Sequence, residues 1–380
     1  MRSVALGVLL VFAFSLSFNG VLATVLPLYM RAKGIGVVEI GLVYAAYPVI
    51  FQLLRVVFGA LSDQIGVRVL LLASGMLQAL TSAVYFFAPN ALFYGIGKVG
   101  EGIAASMMRG VDRRFLFSES HIFGAGRISG WYYAALWGGL GIGSFVAGYL
   151  ILAGFEWAFA VIATTGMAIA LVGLLLGKEK IERKEGIVQH LLNLRKVGSK
   201  IKRLTALLLL DGIASSIVGS FVLVLLLKEV YALSPEMIGS FLMIVYVVQA
   251  VGALALGRLA DKIESKRLYA ASTFGIAALL LAAGWIATAG LPYTTFLVAI
   301  CMWKLFDVLA SSCVNKITVA HSAPHALGRD MNFVLTGYWL GASAGYAGVG
   351  ALIAATGFPA AFFVSGALQA VLAMLLLALL

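Results

Sequence analysis

Charge is what this sequence has least of. Lys, Arg, Asp and Glu make up 11% of its 380 residues and 62% are hydrophobic, whereas soluble domains carry roughly a quarter charged residues. With a mean hydropathy of +1.04, a soluble globule is excluded. Cysteine is nearly absent: Cys301 and Cys313 fall on one hydrophobic run, so a disulfide between them is ruled out by geometry and both read as packing residues. The four histidines, His121, His190, His321 and His325, lie in polar loops without metal-ligand spacing. No glycine-rich phosphate loop of the ATPase type occurs. Neither a metal nor a cofactor is therefore expected. Acidic residues are outnumbered, 16 against 27 basic, giving a net charge of +11. Nucleic-acid binding does not follow, because the basic residues are spread over loops flanking hydrophobic runs, with no soluble domain to hold a groove.

What fills the chain instead is a series of apolar runs. A helix that crosses a bilayer needs about 20 apolar residues, since its backbone polar groups must be satisfied internally where there is no water. Such spans are expected at 4–31, 37–62, 67–88, 91–112, 125–152, 155–177, 204–230, 235–260, 267–289, 292–318, 331–355 and 358–379. The fold class is thus all-α and polytopic, with twelve transmembrane helices. The run behind Met1-Arg2-Ser3 continues to Met30, well past the roughly 7–15 apolar residues of a secretory signal, and is expected to be the first span. Twelve spans place both ends on one side of the bilayer. Of the 27 basic residues, Arg31, Lys33 and Lys228 fall on the opposite side, and Arg55, Lys98 and Lys304 inside spans. Cytoplasmic loops collect Lys and Arg, so both termini are expected on the inner face of the cytoplasmic membrane.

The chain is also written twice. The stretch 59–68 returns at 257–266, 198 positions later, and Gly41 matches Gly239 at the same offset. Gly130, Gly138, Gly141 and Gly143 of span 5 match Gly337, Gly345, Gly348 and Gly350 of span 11 at 207, and Gly154-Phe155 matches Gly357-Phe358 at 203. Between the copies lies the one long polar segment, either an amphipathic helix on anionic headgroups or a solvated tether. The expected organisation is a six-span bundle over 1–177, a cytoplasmic linker over 178–203 and a second bundle over 204–380. Parallel repeats about an axis normal to the membrane are one plan by which transporters form a central site at mid-depth.

These turns and glycines carry a family resemblance. The sequence resembles the major facilitator superfamily over essentially its whole length, most specifically in the turn Gly-x-Leu-x-Asp-x-x-Gly-x-Arg, present as Gly59, Leu61, Asp63, Gly66 and Arg68. The second copy keeps Gly257, Leu259, Asp261 and Lys266 but has Glu264 at the second glycine. The resemblance implies two pseudo-symmetric bundles, solute transport rather than catalysis, and a turn that latches one conformational state through Asp63 and Arg68. Independently of it, Asp63 ends a span at the water boundary, where a carboxylate can accept bonds from the amides opening span 3 and pair with Arg68. Arg55 is similar to a basic residue ahead of the family's turn and is assigned to an inner gate. Lys98 to Gly102 is similar to the family's span-4 motif, with lysine replacing arginine. Gly139, Gly143 and Gly148 are similar to its exchanger motif, with Ser144 where that motif has proline.

Ionisable residues inside a span cost about 2.5–3.5 kcal/mol on insertion scales, so they are expected to face a cavity and to have partners. Lys98 with Glu101 in span 4 and Lys304 with Asp307 in span 10 form two Lys-x-x-acid pairs offset by 206, each on one helix face. Arg109 and Asp112 continue the first stripe toward the cytoplasm, and Ser311 and Asn315 the second. Protonating Glu101 or Asp307 would free its lysine for an anionic or zwitterionic group, and lysine, unlike arginine, can itself lose a proton when desolvated. Asp211, beside Gly212 and Ser215, either faces the cavity or pairs with the basic end of the linker, and span 1 supplies Asn19 and Ser15. Tyr133 and Trp137 in span 5 are candidates to line the cavity, where ring faces suit an organic or cationic ligand. Gly341-Ala342-Ser343-Ala344-Gly345 spells a hydrolase nucleophile pattern but lies in an apolar run without a strand-to-helix elbow, so packing is expected. The composite expectation is a monomeric secondary transporter in contact with membrane lipids, moving a small organic solute by alternating access with protons. Efflux is favoured over uptake or exchange of an organic anion held by Lys98 and Lys304; a membrane scaffold or lipid-handling enzyme is the remaining alternative.

Overall fold

The computed structural model describes residues 2–117, 125–176, 197–322 and 327–379, and the regular elements among them are all helical. The first span is composite: α1 (Arg2–Phe14) runs through a π-helical stretch, Ser15–Leu22, into α2 (Ala23–Ala32). Then come α3 (Val37–Ile65), α4 (Val67–Phe87), α5 (Ala91–Phe117), α6 (Ala125–Ala153) and α7 (Phe155–Leu175). The second half opens on another composite span, α8 (Ser199–Ile217) and α9 (Ser220–Glu229), parted at Val218 and Gly219. It continues with α10 (Pro235–Lys262), α11 (Ser265–Thr288), α12 (Tyr293–His321), α13 (Leu327–Thr356) and α14 (Phe358–Leu379). Among the described residues, 11 spans are long and apolar enough to cross a bilayer; α5, helical throughout, is the remaining one, and its Lys98, Glu101, Arg109, Asp112, Arg113 and Arg114 lower its hydropathy.

Both breaks were invisible in hydropathy, because the runs stay apolar through them. The two irregularities fall at matching places, Gly20 within the π stretch and Gly219 at the parting. At the second, the ring of Tyr346 lies where a Gly219 side chain would be.

The chain forms two compact units that draw on both sequence halves: 1–35, 49–189 and 233–247 make one, and 36–48, 190–232 and 248–380 the other. In the first unit α4 packs on α7 with Gly75 against Gly166 and Ala170, while the π stretch packs on α6 with Gly20 against Gly143 and Gly139 against Phe12 and Ser15. In the second, α8 packs on α13 through Gly212, Gly337, Gly341 and Gly345, and α11 on α14 through Gly284 and Gly366. In lipid, where apolar side chains gain nothing by leaving the solvent, helices associate through such close backbone approach. Hydroxyls join the same seams: Ser82 Oγ donates to the Phe159 carbonyl at 2.7 Å and Ser365 Oγ to that of Ala214 at 2.7 Å.

These contacts correct the glycine register read from the sequence. Gly139 and Gly143 meet the first span as Gly341 and Gly345 meet the seventh, and Gly148 meets Pro235 and Glu236 as Gly350 meets Val37 and Val38. The offset is therefore 202, close to the 203 of the Gly154 and Gly357 turns. The 207 match pairs Gly138 with Gly345 and Gly141 with Gly348, yet among the described residues nothing approaches Gly138 or Gly348. With seven glycines in α6 and six in α13, many of them closely spaced, sequence spacing alone fits more than one register.

Candidate functional site

In the first unit the charge lies sealed. Lys98 and Glu101 share one face of α5; Lys98 Nζ donates to Glu101 Oε2 at 2.8 Å, and Tyr85 Oη of α4 donates to the same oxygen at 2.7 Å. The two charged residues are only 4% and 7% exposed. They are enclosed because α4 closes on α5 at two glycines, Gly97 against the Tyr85 ring and Gly100 against the Thr81 hydroxyl. The short, charge-assisted bonds offset the desolvation that a buried ion pair must bear.

In the second unit the matching pair is open. Lys304 Nζ and Asp307 Oδ2 stand 3.7 Å apart with side chains 20% and 35% exposed. Gln249 Nε2 of α10 donates to Asp307 Oδ2 at 3.2 Å, and the Lys304 ammonium rests 4.1 Å from the centre of the Trp303 ring, a cation–π contact. Asp211 is a partner in this cluster: Gln369 Nε2 of α14 donates to its Oδ1 at 2.8 Å and Ser215 Oγ at 3.1 Å. Asp211 lies within electrostatic reach of Asp307, and Tyr269 of both. Five helices, α8, α10, α11, α12 and α14, thus bring polar groups to one place. Among the described residues Asp211 is held by an amide and a hydroxyl, not by the basic end of the linker.

Sequence reasoning missed Tyr85, Gln249, Gln369 and Tyr269. The available signal was a lone amide or phenol in an apolar run, which must find a partner when no water is present.

The other expected site residues are dispersed. Asn19 Nδ2 donates to Ser15 Oγ at 3.4 Å inside the π stretch. Trp137 stacks on Tyr246 at 6.2 Å, whereas Tyr133 is 39% exposed. Arg109 sits 5.6 Å from the Tyr132 ring and Arg55 6.0 Å from that of Phe51. Of the latch, Arg68 and Lys266 are partly exposed. Gly66 adopts φ 80°, ψ 160° ahead of α4; its counterpart Glu264 takes φ −58°, ψ 121° ahead of α11 and pairs at the surface with Arg267 at 2.8 Å. The second copy tolerates a non-glycine residue because its chain enters the helix by an ordinary extended path. The side chains of Asp63, Asp112 and Asp261, and the surroundings of Gly257, lie outside the described residues. The hydrolase-like string is helical, with Ser343 Oγ donating to the Ala45 carbonyl at 2.7 Å.

Long apolar helices in duplicated seams, with one intrahelical ion pair enclosed and the other accessible, define a multi-pass helical membrane protein. The family model for the Major Facilitator Superfamily matches residues 7–210 and again 204–380. The chain belongs to that superfamily, and so is a secondary transporter rather than an enzyme. A protein of Methanocaldococcus jannaschii described as an uncharacterized MFS-type transporter, MJ1560, is 22% identical over 175 residues, 44% of this chain and 45% of the relative; that match spans under half of either. Among solved structures, the nucleoside transporter NupG is similar with a TM-score of 0.78 at 14% identity, covering 100% of this chain and 99% of that one. A D-xylose–proton symporter gives 0.78 at 12% identity, with 99% and 96% covered. The human organic anion transporter MFSD10 (TETRAN) gives 0.66 at 18% identity, with 99% and 98% covered. At these identities the likeness speaks for the fold.

Proposed function

We propose that this protein is a proton-coupled transporter of a small organic solute, acting as a monomer in the cytoplasmic membrane with both termini inside the cell, and that its direction is export. The observation that carries this reading is the repeated Lys-x-x-acid pair, sealed in one unit and reachable in the other. A carboxylate that also accepts a hydrogen bond from an uncharged neighbour, as Glu101 does from Tyr85 and Asp307 from Gln249, keeps that bond when it is protonated, while its lysine is released to seek another anion. The two acids then serve as alternate stations whose access changes as the transporter changes state. The basic bias of the loops supports the orientation. Export is supported by the resemblance of Gly139, Gly143 and Gly148 to the exchanger motif, from which the chain departs by having Ser144 in place of its proline. Uptake of an organic anion is the weaker reading, because Lys98 is buried in its own ion pair and Lys304 is paired with Asp307.

The test uses the protein reconstituted in vesicles with a pH-sensitive dye inside and an imposed proton gradient. Amines, sugars, nucleosides and organic acids are added singly. At least one is expected to move protons with wild type and none with the Glu101→Gln, Asp307→Asn double variant. Undiminished proton movement in that variant overturns the coupling scheme.

A further inference from the structure

The geometry points to a binding site for a protonated amine in the second unit, built by Asp211, Asp307, Gln249, Gln369 and Tyr269, the amine being the cargo if the transport reading above holds. Gln369 and Gln249 are each only 2% exposed, and each turns its Nε2 toward a carboxylate, Asp211 and Asp307 respectively. That orientation is forced, since the opposite one would set an amide oxygen against a carboxylate oxygen. It leaves the other end of each amide, Gln369 Oε1 and Gln249 Oε1, buried with no hydrogen-bond partner among the described residues. Tyr269, 1% exposed and within electrostatic reach of both aspartates, has its hydroxyl in the same condition.

Buried polar atoms without partners are costly and are rarely left so unless something else satisfies them. Here they belong to a cluster that, among the described residues, holds two carboxylates and one lysine, one negative charge in excess. A ligand completing it must bring positive charge and more than one hydrogen-bond donor. An ammonium group does both. A carboxylate or phosphate brings only acceptors, a sugar brings no charge, and a quaternary ammonium brings charge but no donor. Entry is available on the Asp307 side, where the carboxylate remains 35% exposed.

The test is calorimetric titration of the purified, detergent-solubilised protein, with no gradient present, using four probes that share one ring: 2-phenylethylammonium, phenyltrimethylammonium, 2-phenylethanol and 3-phenylpropanoate. The primary ammonium is expected to bind, and the other three at least tenfold more weakly. Asp211→Asn and Asp307→Asn are each expected to weaken the ammonium about tenfold or more, as loss of a charged hydrogen-bond partner does. Gln369→Leu should weaken it too while sparing both carboxylates, so a loss there is not a loss of charge. Thermal unfolding of each variant checks that it is folded. Binding of phenyltrimethylammonium or phenylpropanoate as tight as that of the primary amine overturns the proposal. Displacement of the ammonium by sodium chloride but not by choline chloride overturns it in favour of a metal-ion site. Amine binding without any transport would sink the transport reading and leave the site; proton-coupled transport of other solutes without amine binding would do the reverse.

Discussion

Two residues show how much depends on local enclosure. Glu101 and Asp307 are the acids of the two Lys-x-x-acid pairs, but Glu101 is closed in by Tyr85 and a glycine-lined helix contact whereas Asp307 keeps a third of its side chain accessible. Removing one member of an enclosed pair leaves an uncompensated buried charge, which costs about 3–5 kcal/mol. Glu101→Gln is therefore expected to lower the unfolding free energy by that order, and Lys98→Met combined with Glu101→Gln to recover most of it while transport stays lost. Thermal unfolding in detergent and flux in vesicles measure the two effects separately. Gly66 gives a second case. Its φ of 80° with ψ of 160° lies where only glycine rests easily, and another residue there costs about 1–3 kcal/mol. Gly66→Ala should destabilise by that amount, while Glu264→Ala, at φ −58° and on the surface, should be close to neutral in the same assay.

Among the elements, the glycine seams decide register. An added methyl at Gly143 would meet the Leu16 carbonyl and at Gly345 the Ser216 hydroxyl, but at Gly138 or Gly348 it would meet nothing. Gly143→Ala and Gly345→Ala are expected to cost about 1–3 kcal/mol each through overpacking, with Gly138→Ala and Gly348→Ala silent. Equal effects at Gly138 and Gly345 would restore the 207 register. Helix positions were legible from hydropathy to within a few residues. The π stretch Ser15–Leu22 and the parting at Gly219 were not, because a change in backbone hydrogen bonding leaves an apolar run apolar.

For the whole molecule, the duplicated turn is where a change of state is expected to be controlled. If Asp63 holds one state through the amides at the head of α4, Asp63→Asn should leave membrane insertion intact and cut transport roughly fivefold or more, the population shift that about 1 kcal/mol produces. Flux normalised to the amount of protein in the vesicles measures it, and unchanged flux removes the latch role. The superfamily-wide match in both halves places this prediction on a transporter; it assigns neither cargo nor direction.

By itself, the sequence determined that this chain is an all-helical, duplicated membrane protein, because lipid admits only helices and closed barrels, and apolar runs of about 20 residues, written directly in residue order, fit the helix and not the barrel strand. It also located the four intramembrane charges of α5 and α12, since their cost makes each conspicuous. Tertiary structure alone decided which faces meet: helices apolar all round carry no stripe to orient them, so the register of the glycine seams had to come from packing. That packing enclosed one ion pair and exposed the other, and it carried Gln249, Tyr269 and Gln369 from three separate helices to the carboxylates of Asp211 and Asp307.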